Sequence, residues 1–359
     1  MNFSQTDIIK ALSTVNDPDI KRDLVSLNMV KDVKVTPETV SFTVVLTTPA
    51  CPLKEQIRQD CEAAVRKVTG PGISIAITMS SSVTSLRDNA QLLPGVKNIV
   101  AIASGKGGVG KSTVTTNLAV ALAKAGARVG LIDADIFGPS IPTMFNCEFE
   151  QPTVTQVNGK NIIIPIEQYG VKILSIGFLV PADNAVIWRG PMASSALKQF
   201  FSDAEWGELD YLFIDLPPGT SDIHLTLVQT VPVTGAVIVT TPQKVALADA
   251  TKGLAMFRQA SINVPVLGII ENMAYFTPEE LPDHKYYIFG KDGGKNLSDK
   301  FNVPLLGQIP LVQGIRESGD SGLPSVLKEG AMADAFTQLA ESLARQIAIR
   351  NANHAKVPA

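Results

Sequence analysis

A glycine-rich segment between an apolar run and a helical pattern constrains this chain more than any other part of its sequence. Residues 105–112 read GKGGVGKS; they follow the apolar run Asn98–Ala103 and open the helical pattern Ser112–Ala125. Glycines at these spacings let backbone N–H groups surround an anion, and the helix adds the partial positive charge of its first turn. The segment fits G-x-x-x-x-G-K-[ST] and therefore predicts a loop that binds a polyphosphate.

The charged and hydroxyl residues around this loop predict the chemistry of a nucleoside triphosphate. Lys111 is expected to reach the β- and γ-phosphates, and the Ser112 hydroxyl to bind Mg²⁺. Lys106 places a second cation inside the loop, which suits a γ-phosphate. Asp215 ends the apolar strand pattern Tyr211–Asp215 and is the expected second partner of Mg²⁺, either directly or indirectly.

A dinucleotide-binding turn is the alternative interpretation of the same residues. Gly105, Gly107 and Gly110 also satisfy G-x-G-x-x-G, and Asp133 lies at the end of the next predicted strand, where such a site keeps an acid for the ribose. The Lys-Ser pair that follows Gly110 has no function in a dinucleotide turn but completes a triphosphate site. The sequence therefore favours a nucleotide hydrolase.

Two acids follow the second predicted strand of this region. Asp133 and Asp135 are separated by one residue, so in an extended chain they point to opposite faces and only one faces the phosphates easily. Asp135 lies further toward the carboxyl edge of the strand, where ligands bind in sheets of this kind. We therefore expect Asp135 to face the phosphates.

Short apolar runs alternate with helical patterns through most of the chain. Such runs, nearly continuous in apolar residues, predict an α/β fold with a mostly parallel sheet and helices on both faces. The predicted strands are Asn98–Ala103, Arg128–Asp133, Tyr211–Asp215, Ala236–Thr240, Val266–Ile270 and Pro304–Gln308. The predicted helices are Ser112–Ala125, Leu247–Gln259 and a closing helix Met332–Ile349.

The first 82 residues predict a separate small α+β domain. Val40–Thr47 is rich in β-branched residues and Ile73–Met79 is apolar, as in strands, whereas Lys54–Val68 has the spacing of an amphipathic helix. A short helix is expected over Asp7–Leu12. We expect a linker over 83–96, a phosphate-loop domain over 97–350 and a tail over 351–359.

Composition narrows the possible partners and compartment. Hydrophobic residues make up 45% of the 359 residues and the net charge is −3, which argues against a protein dedicated to nucleic acid. No apolar run is long enough to span a membrane, no signal peptide is evident, and the polar face of the closing helix is not rich in lysine or arginine. We expect a cytoplasmic protein that binds neither membrane nor nucleic acid.

A series of motifs makes the chain resemble one family along almost its whole length. These motifs are SGKGGVGKST (104–113), DADIFGPSIP (133–142), WRGPM (188–192), DLPPGTSD (215–222), TTPQKVALAD (240–249), ENMAYF (271–276), IFGKDGG (288–294) and LLGQIPL (305–311). The sequence closely resembles the Mrp/ApbC family of deviant phosphate-loop ATPases, which are regarded as ATP-dependent iron–sulfur cluster carriers. Its first domain, through DPDI (17–20) and LTTPACP (46–52), is similar to a small domain of iron–sulfur assembly factors.

This resemblance implies a homodimer with two facing ATP sites and ATP, Mg²⁺ and an iron–sulfur cluster as its ligands. It implies that Lys106 reaches the phosphates of a second copy, that Asp135 orients the attacking water and that Asn272 contacts the adenine. Lys111 would act with them in catalysis. The expected ATP-binding residues are Gly105, Lys106, Gly107, Gly108, Val109, Gly110, Lys111, Ser112, Thr113 and Asn272.

The sequence departs from the family at the expected cluster ligands. Family members usually hold a C-x-x-C shortly after the ENM segment, whereas residues 277–287 read TPEELPDHKYY and contain no cysteine. His284 is expected to be a solvated loop residue. Cys51 is a candidate cluster ligand or reactive thiol, with a buried inert thiol as the alternative; Cys61 is expected in the core, and Cys147 has no assigned role.

Three functions remain open at this stage. The first is an ATPase that carries iron–sulfur clusters to apoprotein clients together with assembly factors. The second is a regulatory or scaffold ATPase of the cluster pathway that holds no cluster of its own. The third is a positioning ATPase that acts as an ATP-gated dimer.

Overall fold

The computed structural model describes residues 3–87, 92–157, 159–179, 190–220, 222–278, 280–281 and 283–354. The chain divides into two compact units. One comprises the residues up to Leu86 together with those from Ala344 onward, and the other runs from Arg87 to Leu343. Parts of several predicted segments lie outside the described residues: 1–2 of the small domain, 88–91 of the linker, 188–189 of the WRGPM motif, 221 of the DLPPGTSD motif and 355–359 of the tail.

The smaller unit is an α+β structure with a three-stranded sheet in the order β1-β2-β3. Strands β1 and β2 are antiparallel, and β2 and β3 are parallel. The inward-facing residues of β2, such as Phe42 and Val44, pack in one core with Ile57, Cys61 and Val65 of α2. Its elements are α1 (Gln5–Leu12), β1 (Val30–Val35), β2 (Thr39–Leu46), α2 (Lys54–Thr69) and β3 (Ser74–Ser81).

The larger unit contains an eight-stranded sheet in the order β13-β12-β11-β4-β10-β5-β9-β8 among its described residues. Its strands are β4 (Val96–Ser104), β5 (Val129–Asp133), β8 (Ile166–Gln168), β9 (Val171–Ser175), β10 (Leu209–Asp215), β11 (Gly235–Thr240), β12 (Val266–Glu271) and β13 (Leu305–Gln308). The pairs are parallel except at one edge, where β8 is antiparallel to β9. A separate antiparallel hairpin is formed by β6 (Thr153–Val157) and β7 (Lys160–Ile164).

Every residue of β5, β10 and β11 is buried, which shows that both faces of the central strands are covered. The helices of this unit are α3 (Lys111–Lys124), α4 (Ile141–Met144), α5 (Gly190–Ser202), α6 (Asp222–Thr230), α7 (Lys244–Arg258), α8 (Gly293–Phe301) and α9 (Gln313–Asp320). A last helix, α10 (Ala331–His354), begins in this unit. The predicted α/β architecture is confirmed, as are the six predicted strands and three predicted helices, whose ends shift by a few residues.

Five of the described strands, β1 and β6 to β9, were not predicted. Exposure explains the omission of β1 and β6, whereas β8 has only three residues and β9 is almost entirely buried. All residues of β6 are exposed, and β1 alternates weakly because Lys31 and Asp32 interrupt an apolar pattern. Asp32 has a positive φ of 52° beside an irregular register with β2. Strands with so little burial carry no apolar periodicity for sequence analysis to detect.

The end of the sheet opposite the phosphate loop is fixed by a buried carboxylate. Asp210 of β10 accepts hydrogen bonds from Lys97 Nζ at 2.9 Å and from the Arg128 backbone N–H at 3.0 Å, and it pairs with Arg128 Nη2 at 3.2 Å. Burial opposes its charge, but these donors outweigh burial and lower the pKa of Asp210. Asp210 therefore links β10 to Lys97 of β4 on one side and to Arg128, next to β5, on the other.

Asp210→Asn is expected to lower the free energy of unfolding by about 1–3 kcal/mol at pH 7, since Lys97 and Arg128 lose the buried carboxylate charge with which they pair. The pKa of Asp210 is lower in the folded state than in the unfolded chain. Its stabilisation is therefore present above the unfolded pKa of about 3.8 and is lost as pH falls below it. Denaturant unfolding from pH 3 to pH 8 tests this, with Asp299→Asn on an exposed helix surface as the control. An equal deficit at pH 3 and pH 7 would contradict the electrostatic explanation.

Candidate nucleotide site

The glycine-rich loop follows the central strand β4 and leads into α3, at the point where strand order in the sheet reverses. Gly108 and Gly110 have positive φ angles of 80° and 81°, which glycine adopts without strain. Gly105 is required for another reason. A Cβ atom there would lie 2.1 Å from the backbone carbon of Asp249 in α7, so the loop is packed directly against that helix.

A buried cluster of one cation and two carboxylates lies at the start of α3. Lys111 Nζ lies 2.7 Å from Asp215 Oδ2 and 3.4 Å from Asp135 Oδ2. Burial opposes the charge on Lys111, but Asp215 and Asp135 outweigh it and raise the pKa of the ammonium group. Lys111 is therefore a fixed cation beside the loop at neutral pH.

The Ser112 hydroxyl joins the same cluster, since its Oγ donates to Asp215 Oδ2 at 2.6 Å. A hydroxyl and a carboxylate oxygen at this spacing form a hard, oxygen-only donor set, which is what Mg²⁺ prefers. The structure therefore brings together Ser112 and Asp215, the two residues predicted to hold Mg²⁺, and their oxygen atoms fit that ion.

Asp133 and Asp135 take different positions, as their spacing predicts. Asp133 is fully buried and accepts hydrogen bonds from Ser175 Oγ at 2.9 Å and from the Ile141 N–H at 3.3 Å. Burial and the neighbouring Asp215 raise the pKa of Asp133 to about 7. Asp135 instead lines the chamber beside the glycine loop. Burial raises its pKa as well, against the attraction of Lys111.

Two adjoining chambers open at this edge of the sheet. The smaller, of about 240 Å³, is lined by the glycine loop together with Lys111, Ser112, Asp135 and Pro218. The larger, of about 590 Å³, extends from Gly110 and Thr113 toward α9. Because both chambers share Gly110 and Thr113, they adjoin at the glycine loop and form one groove, with charged residues in the smaller chamber and mostly apolar residues in the larger.

Asn272 lines the larger chamber and is directly bonded to the loop. Its Nδ2 donates to the Val109 carbonyl oxygen at 2.9 Å, and the residue is only 6% exposed. The next residue, Met273, has a positive φ of 53°, a strained conformation for a long side chain. The backbone here turns sharply so that Asn272 and Met273 both face the groove.

Several lining residues of the larger chamber were missed by sequence analysis. They share an apolar or backbone-turn character and include Pro139, Met144, Pro310, Leu311, Val312 and Ile315. The available signals were the Gly-Pro turn after Asp135 and the proline after β13, since both follow carboxyl ends of strands. Neither pattern carries a chemical group that distinguishes a ligand contact from a turn.

Lys106 lies at the tip of the loop with its side chain exposed. Its carbonyl oxygen accepts a hydrogen bond from Ser104 Oγ at 3.0 Å, which fixes the backbone. Within the described residues no carboxylate pairs with its ammonium group. The structure therefore does not bring Lys106 into the Lys111 cluster but leaves it facing outward.

Comparison with known proteins agrees with this geometry. Residues 95–347 match the model of the NUBPL iron-transfer P-loop NTPases. The chain belongs to this family. Residues 5–76 also match the model of the iron-sulfur cluster assembly proteins. The family resemblance drawn from the sequence motifs is thus confirmed.

Individual relatives extend the match over most of the chain. The chain is 49% identical over 345 residues to the iron-sulfur cluster carrier protein of Synechocystis sp., covering 95% of this chain and 97% of the relative. It is 49% identical over 348 residues to the protein of the same name from Deinococcus radiodurans, covering 96% and 95%. A nucleotide-binding protein from Archaeoglobus fulgidus, solved in complex with ADP, has a TM-score of 0.57 and 38% identity and covers 66% of this chain and 91% of its own.

The cysteines of this P-loop NTPase do not form an evident cluster site. Cys61 and Cys147 are buried, and burial raises the pKa of each to about 12. Cys51 is half-buried, three residues before α2. No group of three or more His, Cys, Asp or Glu side chains suited to a metal ion is found in the part of the chain that the structure describes.

The segment that replaces the usual cysteine pair forms a polar and aromatic loop. Phe276 and Tyr286 pair as an isolated antiparallel bridge, and His284 between them is exposed, as expected. Residues 279 and 282 of this segment lie outside the described residues.

No described helix is both long and apolar enough to cross a membrane.

Proposed function

We propose that this protein binds and hydrolyses ATP with Mg²⁺ and carries iron–sulfur clusters to apoproteins as a homodimer. The observation that carries the proposal is the Lys111–Ser112–Asp215 cluster, whose Lys111 and Ser112 line the smaller chamber, in a chain of the iron-transfer P-loop NTPase family. The relatives named above are iron-sulfur cluster carrier proteins, and their similarity extends through both units.

Hydrolysis in this site requires that the charge of the γ-phosphate be neutralised while water attacks it. The loop N–H groups and Lys111 would bind the β- and γ-phosphate oxygens. Ser112 and Asp215 would hold Mg²⁺, which supplies charge neutralisation to the phosphates when bound. Gly105, Gly107, Gly108, Val109, Gly110 and Thr113 would complete the ATP contacts, with Asn272 toward the adenine.

Asp135 is the proposed residue that orients the attacking water. It lines the smaller chamber, and its raised pKa makes it a better acceptor of a hydrogen bond from water than an ordinary carboxylate. The water oxygen would bond to the γ-phosphorus as the bond to the β–γ bridging oxygen breaks. The products are ADP, phosphate and a proton.

Lys111→Ala is expected to reduce ATP hydrolysis by about 100- to 1,000-fold, because it removes the cation that stabilises transition-state charge. Turnover of ATP to phosphate measures this. Since the change also leaves Asp215 and Asp135 without their partner, thermal unfolding must show that the variant is folded. The control is Lys124→Ala, at the other end of α3.

Wild-type turnover in folded Lys111→Ala protein would contradict the assignment of the site.

Lys106 is proposed to contact the phosphates bound by a second copy, because its exposed ammonium group has no described partner within its own chain. Lys106→Ala is expected to retain nucleotide binding but to lose dimerisation driven by a non-hydrolysable ATP analogue. Light scattering coupled to gel filtration measures the mass with and without the analogue. Lys295→Ala, another exposed lysine, is the control.

If the Lys106→Ala variant dimerises with the ATP analogue as completely as the wild-type protein, the proposed contact of Lys106 with a second copy is wrong.

Cys51 is proposed as the cluster ligand, because the other two thiols are buried and have raised pKa values. Two copies would supply two thiolates. Anaerobic reconstitution with iron and sulfide is expected to give visible absorption and bound iron in the wild-type protein and neither in Cys51→Ala. Cys147→Ala is the control and is expected to keep the cluster.

A cluster retained in Cys51→Ala would point to other ligands, Cys147 first. The absence of a cluster in every variant would favour the second candidate, a regulatory or scaffold ATPase of the cluster pathway. That candidate is supported by the burial of Cys61 and Cys147 together with the cysteine-free segment 277–287.

A further inference from the structure

A threonine that no sequence motif singled out bonds to the second oxygen of Asp215. Thr115 Oγ1 donates to Asp215 Oδ1 at 2.6 Å, while Ser112 Oγ and Lys111 Nζ share Oδ2 at 2.6 and 2.7 Å. Both Thr115 and Asp215 are fully buried. The two oxygens of one carboxylate are therefore held by three side chains of the same helix.

The position of Thr115 in α3 explains why it reaches the carboxylate. It lies one helical turn after Lys111, so the two side chains lie on the same face of the helix. That face meets the carboxyl end of β10, where Asp215 is the last residue. The helix thus contacts Asp215 through side chains of both its first and its second turn.

A second acceptor lies near the same hydroxyl. Thr115 Oγ1 is also 2.9 Å from the Lys111 carbonyl oxygen, a contact that helical threonines commonly make within their own helix. The hydroxyl has one proton to donate. The Asp215 oxygen is the closer acceptor, at 2.6 Å, and carboxylate oxygens accept shorter and stronger hydrogen bonds than carbonyl oxygens do.

We propose that Thr115 is a positioning residue that fixes the orientation of Asp215 toward Mg²⁺ and the nucleotide. This inference rests on the proposed function, which assigns Asp215 to the metal. Without the Thr115 hydroxyl, one buried carboxylate oxygen loses its donor and the group turns to find another. Outer partners that orient a metal ligand typically affect metal affinity by about 10- to 100-fold when they are removed.

The test compares the affinity for a fluorescent ADP analogue in Mg²⁺ and in EDTA, using full-length protein. Thr115→Val keeps the shape and removes the hydroxyl, whereas Thr115→Ser keeps the hydroxyl. Thr116→Val is the matched control. Thr116 is the next residue in the helix and is also buried, but its hydroxyl contacts Met144 Sδ at 3.6 Å instead of Asp215. A titration with Mg²⁺ at fixed nucleotide gives the metal concentration at half-maximal binding.

We expect Thr115→Val to need roughly 10-fold or more additional Mg²⁺, with its affinity in EDTA within about twofold of wild type. Thr115→Ser and Thr116→Val should match the wild-type protein. If Thr115→Val does not fold, Thr115→Ala and Thr115→Ser provide the same comparison, since they differ only in the hydroxyl.

Equal Mg²⁺ requirements in Thr115→Val and Thr116→Val would overturn the positioning role and leave the proposed function intact. An equal loss in Thr115→Ser and Thr115→Val would also overturn it, because the hydroxyl would then not matter. Wild-type affinity that does not change with Mg²⁺ would instead overturn the assignment of Asp215 to the metal, and this inference with it.

Discussion

The ion pair between Lys111 and Asp215 is the interaction on which the rest of the site depends. Asp215 lies beside Ile102 of β4 and Asp133 of β5 in the parallel register, so the sheet brings two buried carboxylates together at one edge. Burial, and after it the repulsion from Asp215, raises the pKa of Asp133 to about 7. Lys111 offsets this charge, and because it opens α3 it also fixes where the helix begins.

The phosphate loop is therefore held by packing as well as by its sequence. A buried charge that loses its partner is strongly destabilising, so the position of α3 against β10 and the position of Lys111 are one constraint. Asn272 adds a second tie, since its amide group bonds to the Val109 carbonyl oxygen and connects the end of β12 to the loop. The chemistry of the groove and the stability of the sheet edge are built from the same contacts.

Much of this arrangement could be predicted from the sequence, and the reasons differ by element. Continuous apolar runs predict the buried strands. The glycine, lysine and serine spacing from Gly105 to Ser112 predicts the phosphate loop, because few other structures need that spacing. The alternation of Asp133 and Asp135 indicates that only one of them faces the phosphates, and the position of Asp135 nearer the carboxyl edge of the strand favours that residue. Roles that depend on a second copy or on a cluster, such as those of Lys106 and Cys51, remain predictions.

Other features could not be predicted because they arise only from tertiary packing. Thr115 is an ordinary helical threonine until β10 brings Asp215 to within 2.6 Å of it. The apolar chamber formed by Met144, Leu311 and Ile315 draws on α4 and on the residues around the start of α9, two parts of the chain that only the fold brings together. Every residue of β6 is exposed, so this strand of the β6–β7 hairpin has no buried face to produce an apolar periodicity.

The close packing of Gly105 on α7 separates the glycines of one motif into two classes. At Gly105 any side chain would collide with the backbone of Asp249, and Gly108 is held by its positive φ, whereas a Cβ atom at Gly107 would meet only an ordinary contact with Pro218. Selection for a folded protein alone would hold glycine at position 105. Retention of glycine at position 107 would instead indicate selection for nucleotide binding. Substitutions at position 107 among relatives would therefore distinguish a lineage that still binds nucleotide from one that has kept only the fold.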